Sequence, residues 1–252
     1  MKKLIIAAAL SVALAGCASK PTDLLDEDAL YNSAQEFIDK KNYSLAIQQL
    51  EQISDLYPFG RYGVRVQLDL LYAYYQQGEY TKAVVLADRF VRLNPDHEQV
   101  DYAYYLRGIG TYRLSLRGNS FLNGNQPEAR DPTLAQRAFA YLEDFVILFP
   151  DSEYTPDARF RMLQIRDRLA RHHLVVADFY LRRNAWLAAV NRANEVVQQF
   201  NGTAAVGDAL AVMATAYGEM GMSDLKTDVV RVLKANFPDH VSLNKGKFQP
   251  LI

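Results

Sequence analysis

Residues 83–95 read AVVLADRFVRLNP, and two further stretches share their frame, residues 46–58 (AIQQLEQISDLYP) and residues 138–150 (AFAYLEDFVILFP). In each, a small alanine is followed 12 residues later by a proline, and apolar residues recur between them at helical spacing. A small residue lets a second helix approach closely, and the proline stops the helix that carries the alanine. The sequence therefore predicts a repeated helical hairpin.

A second anchor supports this repeat. Nine residues before Ala46, Ala83, Ala189 and Lys226 stands an aromatic residue in every case: Phe37, Tyr74, Tyr180 and Tyr217. An aromatic residue in the first helix, a small residue in the second and a closing proline are the signature of the tetratricopeptide (TPR) repeat. No stretch alternates as a strand does. We therefore predict an all-α fold, an α-solenoid of about five TPR hairpins.

The third hairpin departs from this spacing. Residues 118–127 are rich in Gly, Asn and Pro, which predicts a long loop that displaces the aromatic anchor to Tyr112. Residues 157–183 contain neither Gly nor Pro and are predicted to form one long helix. Gly78 and Gly221 are predicted in hairpin turns. Asp131 and Thr155, each before a proline, are predicted to cap helices.

The amino-terminal residues predict export and lipid attachment. Lys2 and Lys3 precede an apolar run over residues 4–15, which is too short to span a membrane and is typical of a signal peptide. Residues 14–17, LAGC, resemble the bacterial lipobox, which implies cleavage before Cys17 and its N-acyl and S-diacylglycerol modification. The residue after this cysteine is Ala18 and not Asp, which resembles the lipoproteins that are sorted to the outer membrane. Cys17 is the only cysteine in the chain, and acylation removes a thiol that would be unpaired in an oxidising compartment.

These signals divide the chain. The predicted segments are a signal peptide (1–16), a lipid-anchored linker (17–26), an N-terminal TPR region (27–116), a loop insertion (117–131), a C-terminal TPR region (132–238) and a tail (239–252). The 28 basic and 29 acidic residues give a net charge of −1. This balance gives no support for a nucleic-acid partner, which a clear basic surplus would indicate.

Three stretches resemble one known family. Residues 57–60 (YPFG), 66–75 (VQLDLLYAYY) and 92–95 (RLNP), extended by residues 184–186 and 190–192, resemble the BamD family of TPR lipoproteins, which belongs to the outer-membrane β-barrel assembly machinery. The resemblance implies that N-terminal repeats receive unfolded β-barrel substrates through their C-terminal signal. It also implies that C-terminal repeats dock on the periplasmic domain of BamA, with BamC and BamE as further partners.

The repeat frame predicts which residues line a concave groove. One stripe of each first helix faces inward, and in the first two repeats this stripe carries Tyr31, Gln35, Leu68, Tyr72 and Tyr75. Tyrosines offer large contact area and a hydroxyl for hydrogen bonding to a peptide. We predict that these residues receive substrate; the alternative is that they fill the core between repeats.

Charge is unevenly distributed along the chain. Residues 22–56 carry a net charge of −6, whereas residues 159–192 carry eight arginines against two aspartates, a net charge of +6. Arginine pairs well with carboxylates at interfaces. An acidic protein partner is predicted at Arg182, Arg183 and Arg192, with Arg192 favoured by the family resemblance. The alternative is a solvated helix face.

Signals for catalysis and for metal or cofactor binding are lacking. His97 begins a sequence like that of a zinc-protease helix, but Asp101 stands where the second histidine is needed, and adjacent His172 and His173 point about 100° apart on a helix. The sequence predicts no enzyme, no metal and no cofactor beyond the acyl groups on Cys17. Two alternatives remain: a TPR pilot lipoprotein for secretin or type IV pilus assembly, and a helper of cell-wall hydrolases.

Overall fold

The computed structural model describes residues 26–117 and 131–245, and all regular structure in those ranges is helical. The helices are α1 (Glu27–Asp39), α2 (Tyr43–Leu56), α3 (Gly63–Gln77), α4 (Tyr80–Leu93), α5 (Val100–Leu116), α6 (Thr133–Leu148), α7 (Thr155–Arg182), α8 (Trp186–Gln199), α9 (Ala205–Glu219), α10 (Ser223–Asn236) and α11 (Val241–Lys245).

The chain forms two compact units whose boundary falls between Ala73 and Tyr74, within α3. In the first unit, α1 packs against α2. The residues that meet there have apolar side chains with at most 4% of their surface exposed: Leu30, Ala34, Ala46, Leu50 and Ile53. Their three- and four-residue spacing gives each helix one apolar face.

In the second unit, helices pack against their neighbours in chain order. α4 lies on α5, α5 on α6, α6 on α7, α7 on α8, α8 on α9 and α9 on α10. A core of small and branched residues joins α7 to α10; Ala177, Ala189 and Val196 have no exposed surface. Each hairpin buries the face that its neighbour leaves open, as in an α-solenoid. The predicted all-α TPR fold is confirmed.

A left-handed residue makes the turn in four hairpins. Lys41, Gly78, Asn184 and Gly221 have φ values of 56°, 82°, 57° and 72°. The amide after each turn residue donates to a carbonyl five residues earlier, and that carbonyl belongs to Phe37, Tyr74, Tyr180 or Tyr217, at 2.8–3.0 Å. Such a bond closes a Schellman-type helix end. The aromatic anchors of the sequence pattern therefore mark the last turn of each first helix, and the turns predicted at Gly78 and Gly221 are confirmed.

The second anchor of the pattern is equally well defined. The small residues Ala46, Ala83, Ala138 and Ala189 have no exposed surface. Each second helix then ends two residues before a proline, or before Asn201 in the fourth hairpin. Where a proline is present, it disfavours helical geometry at the residue that precedes it. The amide of that residue still bonds the helix, as Tyr57 N to Ile53 O at 2.8 Å and Phe149 N to Phe145 O at 2.9 Å.

One predicted helix is confirmed, and the two predicted caps differ in outcome. α7 is continuous over 28 residues, Thr155–Arg182. Thr155, however, is its first helical residue, and the Thr155 hydroxyl donates to the carbonyl of Phe149 at 2.7 Å instead of capping the helix. Asp131 accepts from the amide and hydroxyl of Thr133 at 2.9 and 2.7 Å, as a capping residue does, although α6 begins at Thr133 and not at Pro132 as predicted.

Several predictions fall outside the described residues. The signal peptide, Cys17 and nearly all of the linker precede residue 26, the loop insertion falls mostly within residues 118–130, and the second half of the tail is residues 246–252. No helix in the described ranges is both long and apolar enough to cross a membrane.

Candidate protein-binding surfaces

A hydrogen-bonded tyrosine cluster occupies the first unit. The Tyr31 ring stacks on Tyr62 with 4.1 Å between ring centroids and 8° between planes. The Tyr31 hydroxyl donates to Asp69 Oδ2 at 2.8 Å, and Gln35 Nε2 donates to the same oxygen at 2.7 Å. Burial raises the pKa of Asp69, and the two hydrogen bonds oppose that rise. Burial and the bond to Asp69 raise the pKa of Tyr31, so its hydroxyl stays a donor.

The predicted groove residues of the first unit differ in accessibility. Tyr31 and Leu68 are each 5% exposed. Gln35 and Tyr72 are half-buried, and Tyr72 meets the edge of Tyr43 with 5.9 Å between ring centroids. Gln35 and Tyr72 therefore have accessible surface, whereas Tyr31 is covered and is linked to Gln35 through Asp69.

Tyr75 lies in the second unit, where it joins a different set of neighbours. Its ring lies 5.4 Å from that of Tyr80, and its hydroxyl accepts from Arg113 Nε at 3.3 Å. Tyr75 is half-buried and Arg113 is exposed. The structure therefore pairs this predicted groove tyrosine with an exposed arginine.

A third tyrosine cluster was not found from the sequence. Tyr105 stacks on Tyr154 with 4.9 Å between ring centroids and 15° between planes, and its hydroxyl donates to Asp157 Oδ2 at 2.8 Å. The pattern resembles Tyr31, Tyr62 and Asp69. A spacing of 37 residues joins Tyr31 to position 68 and position 68 to Tyr105. A further step of 37 residues from groove position 68 would have identified Tyr105 as the corresponding residue of the third repeat. It was missed because the aromatic anchor of that repeat was placed at Tyr112.

The arginines predicted to bind a partner carry intramolecular contacts. Arg192 pairs with Glu195 at 2.9 Å, and Glu195 also lies 2.7 Å from His173 Nδ1. Arg182 pairs with Asp178 at 2.8 Å but keeps 71% of its side chain exposed. The Arg183 guanidinium lies 4.4 Å from the centroid of the Phe179 ring. Arg182 and Arg183 stand at the end of α7 and Arg192 lies in α8. An exposed pair such as that of Arg182 exchanges partners at low cost.

The pKa of His173, which contacts Glu195, is lowered by its surroundings. Burial lowers the pKa of His173, Arg192 and His172 lower it further, and Glu195 opposes them. His173 also contacts Phe200, with 5.4 Å between ring centroids. No group of three His, Cys, Asp or Glu side chains within residues 26–117 and 131–245 could hold a metal ion.

Comparisons with known proteins agree with the sequence pattern. Residues 24–232 match the family YfiO, described as an outer membrane lipoprotein. The chain is 36% identical to the outer membrane protein assembly factor BamD of Neisseria meningitidis serogroup A, over 94% of this chain and 92% of the relative. It is 36% identical to the BamD of Vibrio cholerae, over 88% and 93%.

Further comparisons cover a more distant relative and a solved structure. The BamD of Pasteurella multocida is 33% identical over 94% of this chain and 91% of its own length. The TPR2AB domain of yeast Sti1, solved in a complex with pHSP90, gives a TM-score of 0.48 at 13% identity, over 85% of this chain and 79% of that one. On the sequence matches, the chain belongs to the YfiO family of outer membrane lipoproteins, which includes the BamD outer membrane protein assembly factors.

Proposed function

We propose that this chain is a lipid-anchored scaffold of the Bam complex that receives unfolded outer-membrane β-barrel proteins and docks on the periplasmic domain of BamA. BamC and BamE are its further partners, and its task is to promote barrel folding and insertion. The observation that carries the proposal is 36% identity, over 94% of the chain, to relatives named as outer membrane protein assembly factors.

The binding of substrate is assigned to polar and aromatic residues on the first helix of each of the first two hairpins. Gln35, Tyr72 and Tyr75 are half-buried, so each combines a fixed position with accessible surface. A barrel strand emerging as an extended chain offers alternating apolar side chains and unpaired backbone groups. Tyrosine rings bind the apolar side chains and tyrosine hydroxyls bind the unpaired backbone groups, at low cost in side-chain entropy.

Docking on BamA is assigned to the arginines around the α7–α8 turn. Arg182 and Arg183 stand at the end of α7 and Arg192 lies in α8, and exposed Arg182 can transfer from Asp178 to a carboxylate of a partner. The anchor is assigned to Cys17, whose acyl groups would hold the chain on the periplasmic face of the outer membrane. Several acyl chains together bind a bilayer stably, whereas one binds it only marginally.

Site-specific photo-crosslinking tests the receipt of substrate. We expect a photoreactive residue at position 72 or 75 to form an adduct with an unfolded β-barrel protein in cells. The same residue at Asp55, an exposed position of α2, serves as the control and should not react. Absence of adducts at both tyrosines would remove the groove assignment.

Co-purification tests docking. The double variant Arg182→Gln/Arg183→Gln and the variant Arg192→Gln should each recover severalfold less BamA, while Arg159→Gln, at an exposed residue of α7, should recover the normal amount. Glutamine is preferred to glutamate at Arg192 because a carboxylate there would repel Glu195. Recovery of a secretin without BamA would instead support the pilot-lipoprotein alternative.

A further inference from the structure

The turn between α2 and α3 presents a phenylalanine to solvent. Phe59 has 99% of its surface exposed, more than any other large hydrophobic residue in the described ranges. Leu56 and Val64, which stand on either side of this turn in the sequence, are 42% and 37% exposed. An exposed aromatic ring gains free energy when an apolar phase covers it. The turn therefore favours a partner that accepts such a ring.

Hydrogen bonds from α1 hold this turn in place. The Glu27 carboxylate accepts from the amides of Arg61 and Tyr62 at 3.3 and 3.0 Å. A Cβ at Gly60 would overlap the same carboxylate, so the absence of a side chain lets Glu27 approach the turn. Phe59 therefore projects from a backbone that is fixed on both its sides, and its exposure does not come from a loose loop.

These bonds also place the turn beside one particular end of α1. Glu27 is the first residue of α1, and Cys17 stands nine residues before Asp26. Since a chain spans at most about 3.3–3.6 Å per residue, the start of α1 lies within about 30 Å of the predicted anchor. The other end of this 13-residue helix is about 20 Å away from its start. Phe59 therefore lies at the end of α1 to which the anchor is joined.

Two arginines accompany Phe59. Arg61 and Arg65 are both exposed; Arg61 pairs with Asp28, and the Arg65 guanidinium lies 5.6 Å from the centroid of the Tyr31 ring. An exposed ion pair is weak, so Arg61 can exchange its carboxylate for a phosphate at low cost. An apolar side chain with arginines beside it suits the surface of a bilayer, where the ring enters the acyl region and the guanidinium groups meet lipid phosphates.

We infer that Phe59 inserts into the surface of the lipid bilayer to which Cys17 anchors the chain, with Arg61 and Arg65 bonded to lipid phosphates beside it. One phenylalanine is too small to hold the chain by itself, since even a single acyl chain binds only marginally. The acyl groups keep the turn close to the bilayer, and the inserted ring fixes which end of α1 faces it. The inference rests on the proposed acylation of Cys17 and adds to it a contact between protein and lipid.

A fluorescent label tests the inference on the full acylated protein. Cys17 is the only cysteine and its acylated sulfur does not react, so Phe59→Cys offers one thiol for nitrobenzoxadiazole, whose emission rises in an apolar environment. Asp39→Cys, at the exposed last residue of α1, is the matched control. On vesicles of phosphatidylethanolamine and phosphatidylglycerol, the emission of the label at position 59 should rise severalfold and be quenched by spin-labelled lipid. The label at position 39 should do neither.

A second label tests the phenylalanine itself. Val64→Cys carries the label on the same turn while Phe59 stays in place, and spin-labelled lipid should quench it. This quenching should persist with Phe59→Leu, which keeps an apolar side chain. It should be mostly lost with Phe59→Ser, which removes that side chain and leaves the charge unchanged. Equal quenching in both variants would overturn the role given to Phe59.

The outcomes distinguish the inference from the proposed anchoring. Should the labelled protein float with the vesicles while the label at position 59 behaves like that at position 39, the inference is overturned and the acyl anchor stands. Failure of the protein to float would overturn the anchor together with the inference. A response at position 59 only after addition of an unfolded β-barrel protein would mean that the turn binds protein instead of lipid, and this too would overturn the inference.

Discussion

Asp69 is the residue on which the first tyrosine cluster depends. A single carboxylate oxygen accepts from both Tyr31 and Gln35 at 2.8 and 2.7 Å. Tyr31 is 5% exposed, so water cannot readily replace a lost acceptor. Burial raises the pKa of Asp69, which means that its charge is held there at a cost.

Asp69→Ala should therefore lower the free energy of unfolding by about 1–3 kcal/mol, because it leaves two partly buried donors unsatisfied. Asp69→Asn keeps a carbonyl oxygen and removes the buried charge, so its unfolding free energy should stay within about 1 kcal/mol of normal. Urea denaturation followed by circular dichroism compares the three proteins. Equal losses in both variants would show that the charge, and not the acceptor, is what the cluster requires.

His173 predicts a pH dependence of stability. Its folded-state pKa lies below its ordinary value of 6.5, chiefly because of burial, so the unfolded chain binds the proton more readily. The stability that His173 contributes is thus complete above pH 6.5 and falls as the pH drops towards the folded-state pKa. Between pH 7.5 and pH 5, the melting temperature of the His173→Gln variant should fall by less than that of the normal protein. The control is His97→Gln, which replaces a histidine in the α4–α5 connection; its melting temperature should fall by as much as that of the normal protein.

At the residue scale, the sequence did not predict which side chains pair with one another. Helical periodicity placed Tyr31 on one stripe of α1, but it could not reveal that Asp69, 38 residues away, would accept its hydroxyl and bury it. Likewise the pattern located Arg192 without its partner Glu195 or the neighbouring His173. Such pairings depend on how helices meet, and the spacing of residues within one helix does not encode that.

At the scale of the helical hairpin, the sequence was far more informative. The alanine–proline and aromatic–alanine intervals predicted the hairpins because each anchor has a local cause: a close helix contact, a helix stop or a turn carbonyl. The absence of Gly and Pro predicted α7 correctly. The start of α6 at Pro132 and the cap at Thr155 were misplaced because one backbone hydrogen bond decides where a helix begins, and several residues can supply it.

The turn residues give a test of this local account. Gly221 has φ 72° and open space around it, so Gly221→Ala should lower the free energy of unfolding by about 1–2 kcal/mol, through backbone strain alone. Asn184 has φ 57° at the equivalent turn. The variant Asn184→Gly should therefore raise the free energy of unfolding by up to about 1 kcal/mol.

Gly218, three residues before Gly221, is the matched control. It lies inside α9, and a methyl group there meets only the flexible end of Lys226. Gly218→Ala should therefore leave stability unchanged or raise it by up to about 1 kcal/mol, because alanine favours a helix more than glycine does. Thermal denaturation of the three variants decides the matter. A loss at Gly218 as large as that at Gly221 would mean that packing, and not the left-handed turn, sets the cost.

At the scale of the whole molecule, the question is what holds the chain at the outer membrane. The family match supports outer membrane association, and within the described residues no helix could cross a bilayer. The net charge of −1 supplies no general attraction to anionic lipid. The anchor proposed for this chain is acylation of Cys17, which the lipobox-like residues 14–17 predict, and several acyl chains acting together would bind a bilayer stably.

Cys17→Ala, made in a chain whose residues 1–16 are replaced by a signal peptide that is cleaved without acylation, should therefore abolish incorporation of labelled palmitate and release the chain from membranes, while its far-UV circular dichroism stays that of an intact helical protein. Cell fractionation alone is ambiguous, because a chain without lipid could be retained through a bound partner. The decisive measurement is flotation of the purified proteins with phospholipid vesicles, where the normal chain should float and Cys17→Ala should remain in the dense fraction. Flotation of the variant would mean that a protein surface, and not the acyl groups, binds the bilayer, and the anchoring assigned to Cys17 would have to be abandoned.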